Sequence, residues 1–285
     1  MVRRSGVTAP GFLTEPEPER GVPLAVAPGV WRMVAGNPGP MTYHGTNTYL
    51  IEDPEGGAVT VLDPGPDDPL HVEAVIAAAH RQIRRILLSH GHRDHTGALA
   101  RLCAAMPVPV PVFGSSPSIN EDVVIDHALA DGDTVGGLTV LHTPGHAADH
   151  LCYASADGLL FTGDHVMSWS TSVVSPPHGD MAAYFASLDR LAARGDRCYL
   201  PGHGPPLVQT AGFARALLEH RREREKAVIA ALKNTPAALA DITVRAYPGL
   251  DPRLLAAAER SVLAHLLKLA AEGRVRKVEK GWRTS

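Results

Sequence analysis

Apolar positions along the chain change their period several times, and those changes mark out its elements. Between residues 22 and 63 the apolar runs are short and punctuated: strands over 22–26 and 30–34 are divided by Pro28-Gly29, and Asn37-Pro38-Gly39-Pro40 forms a turn. Two further strands, over 45–51 and 58–63, flank the turn Glu55-Gly56-Gly57, so this part reads as a β-meander. At 67–80 the spacing becomes helical, with Leu70, Val72, Val75 and Ile76 on one face, and 83–88 is a short buried strand. A helix over 96–105, a proline-interrupted strand over 108–113 and a hairpin over 132–142 follow. Strands over 151–153, 159–164 and 197–200 come next, with an amphipathic helix over 181–193 carrying Tyr184, Phe185, Leu188 and Leu191. Alternation of this kind predicts a mixed α/β class with both helical and meander parts.

Beyond residue 207 the strands give way to helices. A long helix over 210–233 reads as a connector, its run Arg221-Arg222-Glu223-Arg224-Glu225-Lys226 forming a mostly solvated face with i,i+4 ion pairs. Helices over 236–247 and 251–272 and a hairpin over 273–283 then have the order of a winged helix, with Arg274, Arg276, Lys277, Lys280 and Arg283 in the wing. The domain boundary therefore falls between 1–207 and 208–285, and the first 20 or so residues, with Glu15-Pro16-Glu17-Pro18-Glu19, read as a loosely ordered lead-in.

Charge reinforces that division. The 285 residues carry −3 overall, yet from Leu207 onward 15 lysines and arginines face 8 acids, a balance of +7 that leaves −10 for the rest. An acidic module suits cation binding and a basic one suits an anionic partner such as nucleic acid. Cys103, Cys152 and Cys198 are odd in number and widely spaced, which argues against a disulfide framework or a structural zinc site and for buried thiols in a reducing cytosol. With no apolar run of about eighteen residues and no signal-peptide core near the start, the expectation is a cytoplasmic protein without a membrane partner.

One stretch concentrates the chemistry. Ser89-His90-Gly91-His92-Arg93-Asp94-His95-Thr96-Gly97 puts four metal-competent side chains within six positions, directly after the apolar run Ile86-Leu87-Leu88. Imidazole nitrogen and carboxylate oxygen both suit zinc. In extended backbone His90 and His92 share a face, while Asp94 and His95 turn toward a second ion. Three more strand ends deliver His146, after Thr143-Pro144-Gly145, Asp164, after Thr162-Gly163, and His203, after Pro201-Gly202. Asp63 ends its strand before Pro64-Gly65, where it either caps the turn or supports a charged site. Between Asp164 and the next strand, 167–180 is too polar and proline-rich for a core element and reads as an active-site wall.

In that order these residues resemble the metallo-β-lactamase superfamily over about 22–207. The resemblance implies an αββα sandwich, followed here by a small winged-helix domain, with a dinuclear site between the sheets. It implies that His90, His92 and His146 hold one ion, that Asp94, His95 and His203 hold the other, that Asp164 bridges them, and that Asp63 orients the site. The motifs Asn37-Pro38-Gly39-Pro40, Gly45-Thr46-Asn47-Thr48-Tyr49-Leu50, Thr143-Pro144-Gly145-His146-Ala147-Ala148-Asp149-His150 and Ser175-Pro176-Pro177 look like the beta-lactamase-like protein 2 branch. Ala147, where a hydroxyl residue is common, and His178, where an Asp is usual, depart from that branch and bear on substrate preference.

The implied cofactors are two divalent ions, zinc first, with iron or manganese as alternatives. Such a pair lowers the pKa of a shared water from about 15.7 toward about 7, and Asp94 would hydrogen-bond the resulting hydroxide. His150 and His178 are candidates for contacting substrate. The first expectation for function is a metal-dependent phosphodiesterase, an endoribonuclease acting on single-stranded RNA. The alternatives are a thioesterase or ester hydrolase of the acyl-carrier or glyoxalase II-like kind, a mononuclear iron persulfide oxidoreductase, and a non-catalytic nucleic-acid-binding protein.

Overall fold

A computed structural model describes residues 11–80, 82–208, 210, 212–232 and 236–285. The first ten residues of the lead-in and the end of the 210–233 helix lie outside the described residues. Two β-sheets stack face to face. The first runs in chain order: β1 (Leu24–Ala27), β2 (Val30–Val34), β3 (Asn47–Glu52), β4 (Val59–Leu62), β5 (Ile83–Leu87), β6 (Val112–Gly114) and β7 (His127–Ala128). Its first four strands form the antiparallel meander read from the turns, and β4 to β7 are parallel: α1 (Pro69–Ala78), then α2 (Arg93–Thr96) and α3 (Leu99–Ala105), make the first two crossovers, and the irregular stretch 115–126 makes the third. Asp68 caps α1, its carboxylate accepting the Leu70 amide at 3.0 Å. The helix expected over 96–105 starts at Leu99 as α3, and Thr96 belongs to the separate α2; the Ala98 amide donates to the Gly65 carbonyl at 2.9 Å instead of continuing α2. Residues 108–111 stay outside a strand, since Pro109 and Pro111 cannot donate to a ladder.

The second sheet holds β8 (Thr134–Val135), β9 (Leu138–His142), β10 (Leu151–Ser155), β11 (Leu159–Gly163) and β12 (Cys198–Pro201), in the order β12-β11-β10-β9-β8. Helix α4 (Met181–Ala192) makes the crossover to β12, which is parallel to β11. Strand alternation sends Tyr49, Leu62, Tyr153, Phe161 and Leu200 between the sheets, while Leu50, Val61 and Ile86 face α1 and α3, and Cys152, Leu160 and Tyr199 face α4. The result is the αββα sandwich expected from the resemblance.

Helix α5 (Phe213–Leu232) is more than a connector. Phe213, Leu217 and Leu218 pack with Tyr184, Leu188 and Leu191 of α4 in one core, so its first half completes the outer helical layer. Its second half packs with α6 (Leu239–Ala246), α7 (Leu255–Ala271) and the hairpin of β13 (Val275–Val278) and β14 (Gly281–Thr284), the winged helix. The solvated face expected over 221–226 holds for Arg222 and Lys226, while Glu223 and Arg224 are half-buried and Arg221 and Glu225 are buried. Lys268 donates to Glu225 at 2.7 Å and Arg274 at 3.2 Å, so one wing arginine is already neutralised. The described lead-in residues, though irregular, are tied down: Glu15 pairs with buried Arg32 at 2.7 Å, and Arg20 donates to the Ala35 carbonyl at 2.5 Å.

Candidate metal centre

Loops at one edge of the sandwich bring the histidines and carboxylates together. The ends of β4 and β5 supply Asp63 and 89–97, and the loops after β9, β11 and β12 supply His146, Asp164 and His203. The edge is closed by the start of β3: Asn47 donates through Nδ2 to the Pro201 and Gly204 carbonyls at 2.8 Å each, and Tyr49 donates to Pro201 at 2.8 Å. The 45–50 motif thus stitches the first sheet to the loop that carries His203.

The ring nitrogens are pre-aimed. Buried Asp63 accepts the Ser89 amide at 2.7 Å, the Ser89 hydroxyl at 2.6 Å and His95 Nδ1 at 2.9 Å. Ser89 Oγ in turn lies 2.9 Å from His90 Nδ1, His146 Nδ1 lies 2.7 Å from the Val173 carbonyl, and His203 Nδ1 lies 3.3 Å from the Gly45 carbonyl. Each of these four imidazoles therefore carries its proton on Nδ1 toward the protein and turns Nε2 to the centre. His92 is the exception, presenting Nδ1, which lies 2.8 Å from His90 Nε2 and 2.9 Å from His146 Nε2.

Two ligand sets result, sharing one carboxylate. His90, His92 and His146 form the first, and Asp94, His95 and His203 the second. Asp164 lies between them, with Oδ2 3.7 Å from His146 Nε2 and Oδ1 3.5 Å from His95 Nε2 and 3.4 Å from His203 Nε2. Buried Nε2 atoms of His95 and His203 and Oδ1 of Asp164 have no hydrogen-bond partner. Orphaned atoms in that arrangement are costly unless a cation satisfies them, so the residues fit a pair of divalent ions.

Electrostatics point the same way. Burial, then the charges of its neighbouring histidines, push His90 well below the usual imidazole range, and burial against His146 holds His92 at about 4. Burial would also lower His95 and His203, but Asp94, Asp164 and Asp63 outweigh it at His95, and Asp164 and Asp94 lift His203 to about 9. Burial raises the Asp94 carboxyl, yet His95 and His203 overcome it and hold it at about 2. Raised imidazoles beside a depressed carboxyl mark a cluster dense in negative charge, which a divalent cation would neutralise.

His150, considered from sequence as a substrate contact, does not reach the cavity. It is fully buried behind His90, with Nδ1 2.9 Å from the Thr143 hydroxyl and Nε2 accepting the Asp164 amide at 3.2 Å, so it fixes the backbone from which the Asp164 carboxylate projects. His178 is exposed and lines the cleft. Sequence reading missed Ser89 and also Asp149, whose Oδ2 accepts the Gly91 and Ile119 amides at 3.0 Å each and pins the metal loop. It missed Gly202 too, where a Cβ would lie 2.6 Å from Asp164 Oδ1 and 2.7 Å from His95 Cε1.

A cleft of 490 Å³ opens over the centre, walled by 167–178 on one side and by Tyr247, Leu250, Leu254, Ala257 and Ala258 of the C-terminal domain on another. The family profile described as Metallo-beta-lactamase superfamily matches residues 41–116 and 111–203. The chain belongs to the metallo-beta-lactamase superfamily. A second profile, the Beta-lactamase associated winged helix domain, matches residues 238–282. The chain is 31% identical over 268 residues to the Beta-lactamase-like protein 2 homolog of Drosophila melanogaster, covering 87% of this chain and 89% of that protein. It is 32% identical over 217 residues to an Atrochrysone carboxyl ACP thioesterase of Aspergillus chevalieri, covering 74% and 68%. A Beta-lactamase domain protein from Burkholderia ambifaria shares the fold with a TM-score of 0.80 at 22% identity, over 94% of this chain and 95% of that one. The chain is thus a metal-dependent hydrolase of this superfamily, and the His/Asp cluster is its metal-binding centre.

Proposed function

We propose that the protein hydrolyses esters or thioesters, with a carbonyl carbon as the centre attacked. The observation that carries this reading is the wall given by the C-terminal domain, where Leu250, Leu254, Ala257 and Ala258 face the centre. Apolar walls pack against the uncharged parts of an ester or thioester on either side of the scissile bond, whereas single-stranded RNA needs a cationic track along its backbone. Among the described residues only two non-histidine cations line the cleft, and Arg221 is spent: it is buried and donates to the Ser172 carbonyl, with its guanidinium 5.4 Å from the Tyr184 ring centroid. Arg260 is exposed at the rim. None of the wing residues Arg276, Lys277, Lys280 and Arg283 lines the cleft.

Two divalent ions, held by His90, His92 and His146 and by Asp94, His95 and His203 with Asp164, would supply Lewis acidity and make a water in the cleft more acidic. Asp94 is the partly exposed carboxylate of the centre and faces the cleft, where it accepts a hydrogen bond from the attacking water, takes its proton and passes it to the leaving sulfur or oxygen. Water oxygen bonds to the acyl carbon, the carbon–sulfur or carbon–oxygen bond breaks, and a carboxylate and a thiol or alcohol leave. His178 and the hydroxyls of Ser170 and Thr171 stand on the wall where a leaving group would pass. The thioesterase name of a relative over the catalytic part supports the same reading.

Thiol release from acyl-coenzyme A and acyl-N-acetylcysteamine by protein loaded with zinc, iron or manganese tests it, with metal content measured on the same preparation. Turnover lost on chelation and in Asp94→Ala is the expected result, and a silent panel overturns it. The second reading, cleavage of single-stranded RNA, is favoured by the basic wing; labelled RNA cut by wild type and spared by Asp94→Ala would put it first. Zinc is the ion we propose, from the nitrogen-rich donor set.

A further inference from the structure

A second and larger cavity, 1130 Å³, runs along α3 on the other side of the centre. Its floor is apolar, formed by Leu99, Cys103, Met106, Val110, Val123 and Val124. Arg93, Asp94 and Asn37 stand at its inner end, and Asp94 lines the cleft under α7 as well. The two troughs therefore meet at the carboxylate that faces the reacting atoms. A hydrolase that cuts an ester must place two unreacting halves of its substrate, one on each side of the scissile bond.

Apolar atoms dominate both linings, and the troughs differ in charge and in the hydrogen-bonding groups they present. Among the described residues Arg93 is the one lysine or arginine that lines the groove, against the four carboxylates Asp67, Asp94, Asp122 and Asp126. Its charge is committed to Asp122 at 3.0 Å; Asp67 is paired with Arg101 at 2.7 Å, and Asp126 accepts the Val112 amide at 2.9 Å. The groove repels a polyanion and offers an uncharged chain an apolar surface. Val108 and Val124, 61% and 72% exposed, leave that surface open to solvent. The cleft under α7 presents hydroxyls, His178 and Arg260, which suit a polar or anionic leaving group.

We infer that the α3 groove holds the apolar acyl portion of the substrate, with the leaving group across Asp94 in the cleft under α7. The inference rests on the ester-hydrolase reading. It predicts a dependence on acyl length, since each buried methylene contributes about threefold to fourfold in binding. Ala104 and Val124 are exposed groove residues, so Ala104→Trp and Val124→Glu change the groove without touching the core.

The test measures thiol release from acetyl-, hexanoyl- and decanoyl-coenzyme A by the metal-loaded full chain. In wild type kcat/KM should climb with acyl length. In both variants the decanoyl value should fall at least about tenfold, carried by KM, while the acetyl value stays put. Flat dependence on length, or equal losses for acetyl and decanoyl, overturns the assignment. Binding of N-phenyl-1-naphthylamine, an uncharged apolar fluorophore, to the metal-free chain and its displacement by 1-decanol decide the groove separately from turnover. If no thioester is cut, the ester-hydrolase reading fails; saturable probe binding weakened in both variants then still supports an apolar site in the groove. Probe binding that is absent, or unchanged in the variants, overturns it. Far-ultraviolet dichroism and melting curves matching wild type establish that the variants fold.

Discussion

Asp63 is the residue through which a single isosteric change should disturb the second metal site more than the first. Its buried carboxylate accepts three hydrogen bonds: Oδ1 takes the Ser89 amide, and Oδ2 takes the Ser89 hydroxyl and His95 Nδ1. In Asp63→Asn one acceptor becomes an NH2 group. If it faces the Ser89 amide, two donors collide, so the amide group settles with nitrogen toward Ser89 Oγ and His95 Nδ1. His95 then moves its proton from Nδ1 to Nε2 to accept that N–H, and Nε2 is the atom facing Asp94 and Asp164 at 3.7 and 3.5 Å. A protonated Nε2 cannot ligate. Restoring the ligating tautomer costs a hydrogen bond next to a buried donor, which corresponds to a 10–100-fold loss of affinity, or about 1.4–2.7 kcal/mol, at the Asp94, His95 and His203 set. At the first set His90 feels Asp63 only through Ser89 Oγ and should change by less. Zinc titration against a chromophoric chelator resolves the two steps. Unchanged affinity at both sites would refute the tautomer mechanism, and equal losses at both would replace it with general loosening of the loop.

Further outcomes follow from the same geometry. Gly202→Ala places a Cβ against Asp164 Oδ1 and His95 Cε1, so metal analysis should find the second ion reduced or absent and hydrolysis lost. Leu160→Ala, emptying a fully buried position between β11 and α4, should cost about 2–5 kcal/mol in denaturant unfolding. Burial raises the Glu225 carboxyl, but His265 and Lys268 outweigh it and hold it at about 2, below its ordinary 4.5. A depressed folded value means the stabilisation is fully present above about 4.5 and is lost as pH falls toward about 2, so Glu225→Gln should flatten acid unfolding across that window. Truncation after residue 207 should leave an aggregating fragment, because Phe213, Leu217 and Leu218 fill the outer face of α4; a soluble, cooperatively melting fragment would contradict the packing.

Much of the centre was legible because its residues are local or follow strand ends. His90, His92, Asp94 and His95 occupy six positions of one loop, and His146, Asp164 and His203 each end or follow an apolar strand, so period and turn chemistry placed them at the sheet edge. What was illegible depends on contacts between segments far apart in the chain. Arg221 looked solvated within its charged run, but the wall at Ser172 covers it; His150 looked available beside Asp149, but β11 passes over it to deliver the Asp164 amide. Serine, glycine and main-chain carbonyls carry no chemical signature, which hid Ser89, Gly202, Val173 and Gly45.

The sequence by itself determined the class of the fold, the winged-helix ending and the donor set, because hydrophobic period and residue type are local properties of the chain. Only the tertiary structure decided which nitrogen each imidazole turns to the centre, since that choice belongs to the partner of the opposite ring nitrogen. It also decided that the C-terminal helices wall the cleft and that two troughs of different charge meet at Asp94. Neither is a property of any single segment: a cavity is what several packed segments leave between them.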